Sequence, residues 1–409
     1  MKRRTLLKML GVGAIAGTGA AFWPDEGLFN PCLTDKTPEA LLTHDIVQAA
    51  WEGIDSRYYL DSHVHIAGTG DGDSGIWLHP DMQNPLQLLQ YVRFKFYMNA
   101  ACVKDENNVD QQYIAQLLRL RNDFPGGAKF MLLAFDYRHN EQGETLQDKS
   151  PFAVPNEYAA RLVKQHPQQF EWAASIHPYR KDCVELLDWC VKHGVRAVKW
   201  LPPMMGIDPA SSLCEPFYEA LAKQGIPLLS HGGDEHAVAG VDAQKLGNPL
   251  LLRKPLEHGV KVIVAHCATM GTNRDIDQGP NGKEMGNYRL FARLMDEPRY
   301  EGKLFGDISA IAQVNRYGPA MADIIQRQEW HPRLLNGSDF PLPGVMPIFS
   351  VKRIADMGLL DANKVDIIKE LRRYNPVLFD FVLKRSMRYK GMKLSNSIFE
   401  AGRLLYKQV

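Results

Sequence analysis

Two histidines one residue apart end a hydrophobic run, Asp61-Ser62-His63-Val64-His65. On an extended strand, residues i and i+2 face the same side, so both imidazoles project together. Neutral imidazole is a common ligand for zinc and similar ions. An HxH pair alone is weak evidence, since chance pairs on surface strands are common. Three further runs strengthen it. Leu228-Leu229-Ser230-His231 and Val262-Ile263-Val264-Ala265-His266 are apolar and end in histidine, and Leu334-Leu335-Asn336-Gly337-Ser338-Asp339 leads to a carboxylate. A buried polar cluster is costly unless a metal ion or mutual pairing compensates it. The residues expected to form a metal site are His63, His65, His231, His266 and Asp339.

Such a set needs strands that all end at one pole. From Arg57 the chain alternates strand-like and helix-like segments, the pattern of βαβ units and a parallel sheet. Strands are expected near 57–65, 128–136, 170–176, 195–201, 226–231, 261–266, 303–309 and 334–339. Eight is the strand number of the (β/α)₈ TIM barrel, whose catalytic groups sit at the C-terminal ends of its strands. Phe217, Ala220 and Leu221 mark one amphipathic helix, and Val365, Ile368 and Leu371 another. More than sixty residues separate His65 from Ala128. Within them, 86–101 and 109–121 read as helices, because Ile114, Leu117 and Leu118 keep helical spacing; a ninth strand at 86–102 is the alternative. The insertion 66–127 is thus expected to be a mostly helical cap at the barrel mouth. The barrel spans 45–385. Residues after 345 read as helical and as covering the outside, with 386–409 a C-terminal helical tail.

The bulk of the chain narrows its partners. With 409 residues, 45% of them hydrophobic, it can bury a large core. Lys and Arg total 48 against 47 for Asp and Glu, so no general field attracts nucleic acid. A basic start, Lys2-Arg3-Arg4, precedes an uncharged stretch from Met9 to Trp23 that is too short to span a bilayer. This is the layout of an export signal, and 1–30 is read as signal and leader. The paired arginines resemble a twin-arginine signal, which implies the twin-arginine export machinery as a partner of the precursor and a periplasmic destination. Cys183, Leu186, Leu187, Cys190 and Val191 fall on one helical face, so both cysteines are read as buried thiols. The pairing of the other four is open.

Taken in order, these motifs resemble the amidohydrolase superfamily, in its branch of amidohydrolase-like decarboxylases and lactonases. The resemblance covers about 57–385. It rests on His63 and His65, on Gly194-Val195-Arg196-Ala197-Val198-Lys199, His231 and His266, on Gly306-Asp307-Ile308-Ser309 and Gly337-Ser338-Asp339-Phe340-Pro341, and on Asn375-Pro376 with Leu378-Phe379. The long insertion after the first strand departs from the family pattern and bears on the substrate.

The resemblance implies a divalent transition metal, zinc first, as one or two ions. With one ion, His63, His65, His231 and Asp339 hold it, and Asp339 takes a proton from the attacking water while His266 orients that water or polarises the scissile carbonyl. With two, a carboxylated Lys199 bridges to an ion on His231 and His266. Asp307 is expected either to order a ligand histidine from behind or to cap its strand. The mouth is expected to include Trp200, Arg138, His177 and Arg274 as substrate contacts, with Asp234, Glu235 and His236 nearby; Arg138 or Arg274 is a candidate carboxylate clamp. The activity this implies is hydrolysis of a C–N or C–O bond in a small molecule. Decarboxylation of an unsaturated or aromatic acid on the same site is the alternative, favoured by an arginine beside the metal. A non-catalytic periplasmic binding protein is the third reading. Self-association into a homo-oligomer stays open.

Overall fold

A computed structural model describes residues 25–33, 36–236 and 243–406. The export signal expected at the N-terminus lies almost wholly outside the described residues. Eight strands form one parallel sheet: β1 (Leu60–His65), β2 (Lys129–Leu133), β3 (Phe170–Ala174), β4 (Ala197–Trp200), β5 (Leu228–His231), β6 (Val262–Ala265), β7 (Leu304–Asp307) and β8 (Leu334–Leu335). Each pairs with its neighbour in chain order, as the eight expected strands require.

The last seam closes differently from the rest. β8 is only two residues long, and the chain beyond it runs along β1. Ser62 N–H donates to the Asn336 carbonyl at 3.0 Å, Asp339 N–H to the His63 carbonyl at 2.8 Å, and His65 N–H to the Phe340 carbonyl at 3.0 Å. These bonds make the ring continuous and lay Asp339 against the HxH pair.

Strand alternation divides the core. Leu60, Met131, Leu133, Ala173, Ala197, Leu229, Ile263 and Phe305 pack inside the barrel. Val64, Trp172, Val198, Val262 and Val264 pack outward against the helices. In β1, Leu60 is inside and Val64 outside, although strict alternation would put both on one face. The register between β1 and β2 shifts between Asp61 and Val64. That irregularity switches the parity of the strand and turns His63 and His65 inward.

Two loops, not one, build the mouth. In the insertion after β1, helix α1 (Leu88–Ala100) lies over the open end and contributes Arg93, Phe94 and Tyr97 to the cavity. Helix α2 (Val109–Asn122) returns along the flank, with Tyr113 and Leu117 fully buried and the Tyr113 hydroxyl donating to the His65 carbonyl at 2.9 Å. Trp77–Leu78 forms a small antiparallel pair with Phe152–Ala153 from the β2–β3 connection. This pair stands apart from the barrel sheet, so the β-count of the barrel stays at eight.

The tail corrects an expectation. Helix α3 (Pro376–Ser386) is buried along its whole length, and the final segment does not lie on the outside. Ala401 and Leu405 insert into the inner barrel core. Gly402 N–H donates to the Tyr58 carbonyl at 3.0 Å, just ahead of β1, so this segment plugs the end opposite the mouth. Interior apolar strand ends need a cover at both poles, and the tail supplies the lower one.

Cys183 and Cys190 are buried free thiols, as are Cys214 and Cys267, whereas Cys32 and Cys102 form a disulfide. This crosslink joins the leader to the end of α1, and its partners are 70 residues apart in sequence. Nothing in the spacing of the six cysteines singled out this pair. Closing so long a loop restricts the unfolded chain, so the Cys32→Ser, Cys102→Ser protein should lose about 2–4 kcal/mol of stability. Urea unfolding monitored by circular dichroism measures this; an unchanged midpoint would show that the crosslink adds nothing.

Candidate active site

The β1–β8 seam fixes three side chains. His63 Nε2 lies 3.4 Å and His65 Nε2 3.1 Å from Asp339 Oδ1. One ligand atom from each lies within 4.8 Å of the others, a group able to hold a metal ion. Gly337 makes this approach sterically feasible. A Cβ there would sit 2.6 Å from His63 Cβ and 3.1 Å from Asp307 Oδ1. Asp61 ties the same strands from below, its Oδ1 accepting from His63 N–H at 3.2 Å and Ser338 N–H at 2.8 Å. Lys384 of α3 donates to the Gly337 carbonyl at 2.7 Å and pairs with Asp380 at 2.6 Å.

Charges in this pocket are set by burial. It lowers the pKa of His63, His231 and His266 well below the usual histidine value, so all three are neutral at pH 7 and keep a lone pair. Burial also opposes ionisation of Asp339, but His63, His65 and Lys199 outweigh it and hold the carboxyl down at about 2. Asp339 is therefore a carboxylate wherever the protein is folded near neutrality.

The orientation of His63 is fixed from behind. Its Nδ1 lies 2.5 Å from Asp307 Oδ2 at the end of β7, while Ser309 Oγ is 3.1 Å from the same nitrogen. Asp307 also accepts from Ser309 N–H at 2.5 Å. A carboxylate on Nδ1–H fixes the tautomer and leaves the Nε2 lone pair for an ion, the usual arrangement behind a metal-bound histidine. The donor set thus fits a divalent cation. Both expectations for Asp307 are met, since Oδ2 holds His63 while Oδ1 caps the end of β7 through Ser309 N–H.

Not every expected ligand joins the group. His231 lines the same cavity, its ring 5.1 Å from that of His266, but its nitrogens face Glu235 Oε2 at 3.6 Å and the Asp234 carbonyl at 3.3 Å. His266 Nδ1 is engaged by Ser309 Oγ at 2.8 Å and lies 3.9 Å from Asp339 Oδ2. Lys199 Nζ is fully buried, 3.2 Å from His63 Nε2, and burial lowers its pKa to about 8. It points its ammonium at the lone pair an ion would use, so it must yield that contact before His63 can act as a ligand. His266, Cys267, Ala268 and Asp339 have φ of 58°, 47°, 49° and 62°. Left-handed backbone at non-glycine residues costs of order 1–3 kcal/mol each and persists where surrounding structure enforces it.

The four expected substrate contacts are elsewhere. Alternation that turns Lys199 inward turns Trp200 outward, where its Nε1 donates to the Ile176 carbonyl at 2.7 Å and its ring stacks on Phe217. His177 is buried with both nitrogens in use, on the Met205 carbonyl and Tyr179 N–H. Arg138 lies across Gly206, and Arg274 donates to the Pro280 carbonyl. None of the four lines the cavity over the metal group. Following a strand closely does not suffice, because loop direction decides which side chains return to the axis. The arginines that do line it, Arg93 and Arg316, come from α1 and from the turn after β7. Arg316 follows the Gly306-Asp307-Ile308-Ser309 motif by a few residues, which is the one signal in the sequence for it. The cavity encloses about 1440 Å³ of empty space with its open mouth included.

The fold and this site define a TIM-barrel scaffold with a side-chain group able to hold a metal ion. The chain belongs to the amidohydrolase family, whose model matches residues 60–362. Among solved structures it is similar to an uncharacterised TIM-barrel protein from Bordetella bronchiseptica (15% identity over 71% of this chain and 88% of that one, TM-score 0.43). It is similar also to a Pseudomonas putida protein assigned as a 2-pyrone-4,6-dicarboxylic acid hydrolase (17% identity, 79% and 97% covered, TM-score 0.41). A third is 2,6-dihydroxybenzoate decarboxylase (12% identity, 78% and 98% covered, TM-score 0.42). No curated protein sequence matches the chain.

If Asp307 holds the His63 tautomer, Asp307→Asn should lower metal affinity by about 10- to 100-fold with the fold intact. Competition against a fluorescent zinc chelator measures it; wild-type affinity in the variant would remove Asp307 from the site.

Proposed function

We propose that the chain is a metal-dependent hydrolase, with zinc as its ion, that directs an activated water at a C–N or C–O bond of a small organic substrate. The observation that carries this reading is the convergence of His63 Nε2, His65 Nε2 and Asp339 Oδ1, with His63 held from behind by Asp307. A divalent ion held there would supply a Lewis acid and bring the pKa of a water towards ~7. Asp339 directs Oδ1 at the two imidazoles and Oδ2 towards His266. One oxygen is thus available as a ligand while the other receives the water's proton and returns it to the leaving group. His266, its Nδ1 fixed by Ser309, orients the water or polarises the scissile carbonyl through its other nitrogen. Lys199, released from His63, adds a positive charge beside the developing oxyanion.

A second reading, decarboxylation of an unsaturated or aromatic acid, is favoured by one observation, the buried Arg316 in the same cavity. Release of carbon dioxide without uptake of water would identify it. Export to the periplasm is part of the proposal. Arg3 and Arg4 support it, and the Cys32–Cys102 disulfide suits an oxidising compartment. A precursor with Arg3→Lys and Arg4→Lys should stay in the cytoplasm; normal export of that variant refutes the route.

Metal content and turnover test the chemistry. His63→Ala, His65→Ala protein should lose the ion that wild type retains after purification without chelator. Asp339→Asn should lower kcat by about 10²- to 10⁴-fold on any ester, lactone or amide substrate. Near-normal kcat in Asp339→Asn with bound metal would overturn the hydrolytic role given to it.

A further inference from the structure

Two fully buried cations among the described residues hold fixed partners. Arg372 is fully buried and spends its guanidinium on Glu26 and on the carbonyls of Pro343, Val345 and Met346. Lys384 is fully buried and holds Asp380 and Gly337. Arg316 is 6% exposed, yet its Nε and Nη1 have no hydrogen-bond partner among the protein groups. No carboxylate lies within ion-pair reach of it among the described residues. Gln313, 4% exposed, has an Nε2 in the same condition. The two share one turn, since Arg316 N–H donates to the Gln313 carbonyl at 2.9 Å. That turn is pinned from outside by Val314 N–H on the Ile348 carbonyl at 2.9 Å. Both side chains line the cavity above His63, His65 and Asp339.

A buried charge or amide without a partner is retained only where something else supplies the partner. Much of the cavity lining is apolar, with Met82, Phe94, Phe96 and Phe152 among its residues. The charged groups lining the cavity include Arg93, Lys199 and Arg316 against Glu235 and Asp339, and a divalent ion would add to this excess of positive charge. A planar guanidinium with an amide N–H beside it matches the two oxygens of a carboxylate, and the excess of positive charge favours an anion.

We propose that Arg316 and Gln313 form a carboxylate-recognition site, and that the substrate is an organic acid whose body is apolar. The inference rests on the proposed function only in taking this cavity as the substrate site. The carboxylate sits on the β7 turn, the body lies against Phe94, Phe96 and Phe152, and the reacting bond is left to the metal group. Affinity comes from the apolar wall, and selection for an acid over its neutral analogue comes from Arg316.

The test is calorimetric titration of the metal-loaded full chain with 4-phenylbutyrate and with 4-phenylbutyramide, its neutral analogue. Wild type should prefer the acid by about 10- to 100-fold, the factor expected for hydrogen bonds to a charged group. Arg316→Gln should bring the two ligands to similar affinity, Arg316→Lys should keep part of the preference, and Gln313→Leu should reduce it less than Arg316→Gln. Removing an unpaired buried cation should also leave the melting temperature of Arg316→Gln equal to or above that of wild type, which shows that the variant folds. The His63→Ala, His65→Ala protein, measured the same way, should retain the preference even if it holds no metal, so failure of the metal assignment is read separately. No binding of the acid by wild type, equal affinity for acid and amide, or a preference that survives Arg316→Gln but disappears in the double histidine variant would each overturn the proposal.

Discussion

A single backbone hydrogen bond, from Asp339 N–H to the His63 carbonyl, joins two ligands that are far apart in sequence. It belongs to the seam that closes the barrel, so the metal group exists only because the sheet is a ring. Closure depends on close approach at Gly337 and on the Asp61 carboxylate, which accepts from both sides of the seam. Lys384 secures the Gly337 carbonyl from α3, and its neighbour Asp380 is buried with it. Removing one member of a buried ion pair typically costs about 3–5 kcal/mol. Stability of the closing seam and geometry of the site are therefore the same physical quantity.

Burial then decides the chemistry. His63, His231 and His266 are neutral because burial disfavours their charged form, and Asp339 stays ionised because His63, His65 and Lys199 surround it. Asp307 supplies what the pocket lacks, a fixed acceptor for His63 Nδ1 that no solvent molecule could hold in place. Left-handed backbone at His266 and Asp339 shows the ends of β6 and β8 bent away from ordinary strand geometry to aim their side chains.

Much of this was legible in the sequence. Four apolar runs ending in His63 and His65, His231, His266 and Asp339 have the length of buried parallel strands, and with four further runs they make the eight of the barrel. The register shift in β1 was not legible, because strand parity depends on pairing with β2 rather than on β1 alone. The same limit separates Lys199 from Trp200. The sequence places both near the mouth, and only the alternation of a formed strand sends Trp200 to the helix layer. Arg138, His177 and Arg274 were reasonable on position, yet loops bend away from the axis for reasons set by their own turns. Arg316 escaped because its distinguishing property, a guanidinium left without partners, is a feature of three-dimensional surroundings. The tail was read as an outer cover, but Ala401 and Leu405 close the narrow barrel end from inside.

The cap divides labour with the barrel. Strand ends supply the metal group, while α1, the Trp77–Leu78 pair and the β7 turn supply the cavity that selects what reaches it. Barrel closure brings His63, His65 and Asp339 together as a group able to hold an ion. Anomalous X-ray diffraction from crystals of the zinc-loaded protein tests this. A strong anomalous peak should appear in coordination contact with all three side chains, with the Asp307–His63 contact retained. A peak at another cluster, such as Asp234 with His236, and none at these three residues would contradict it.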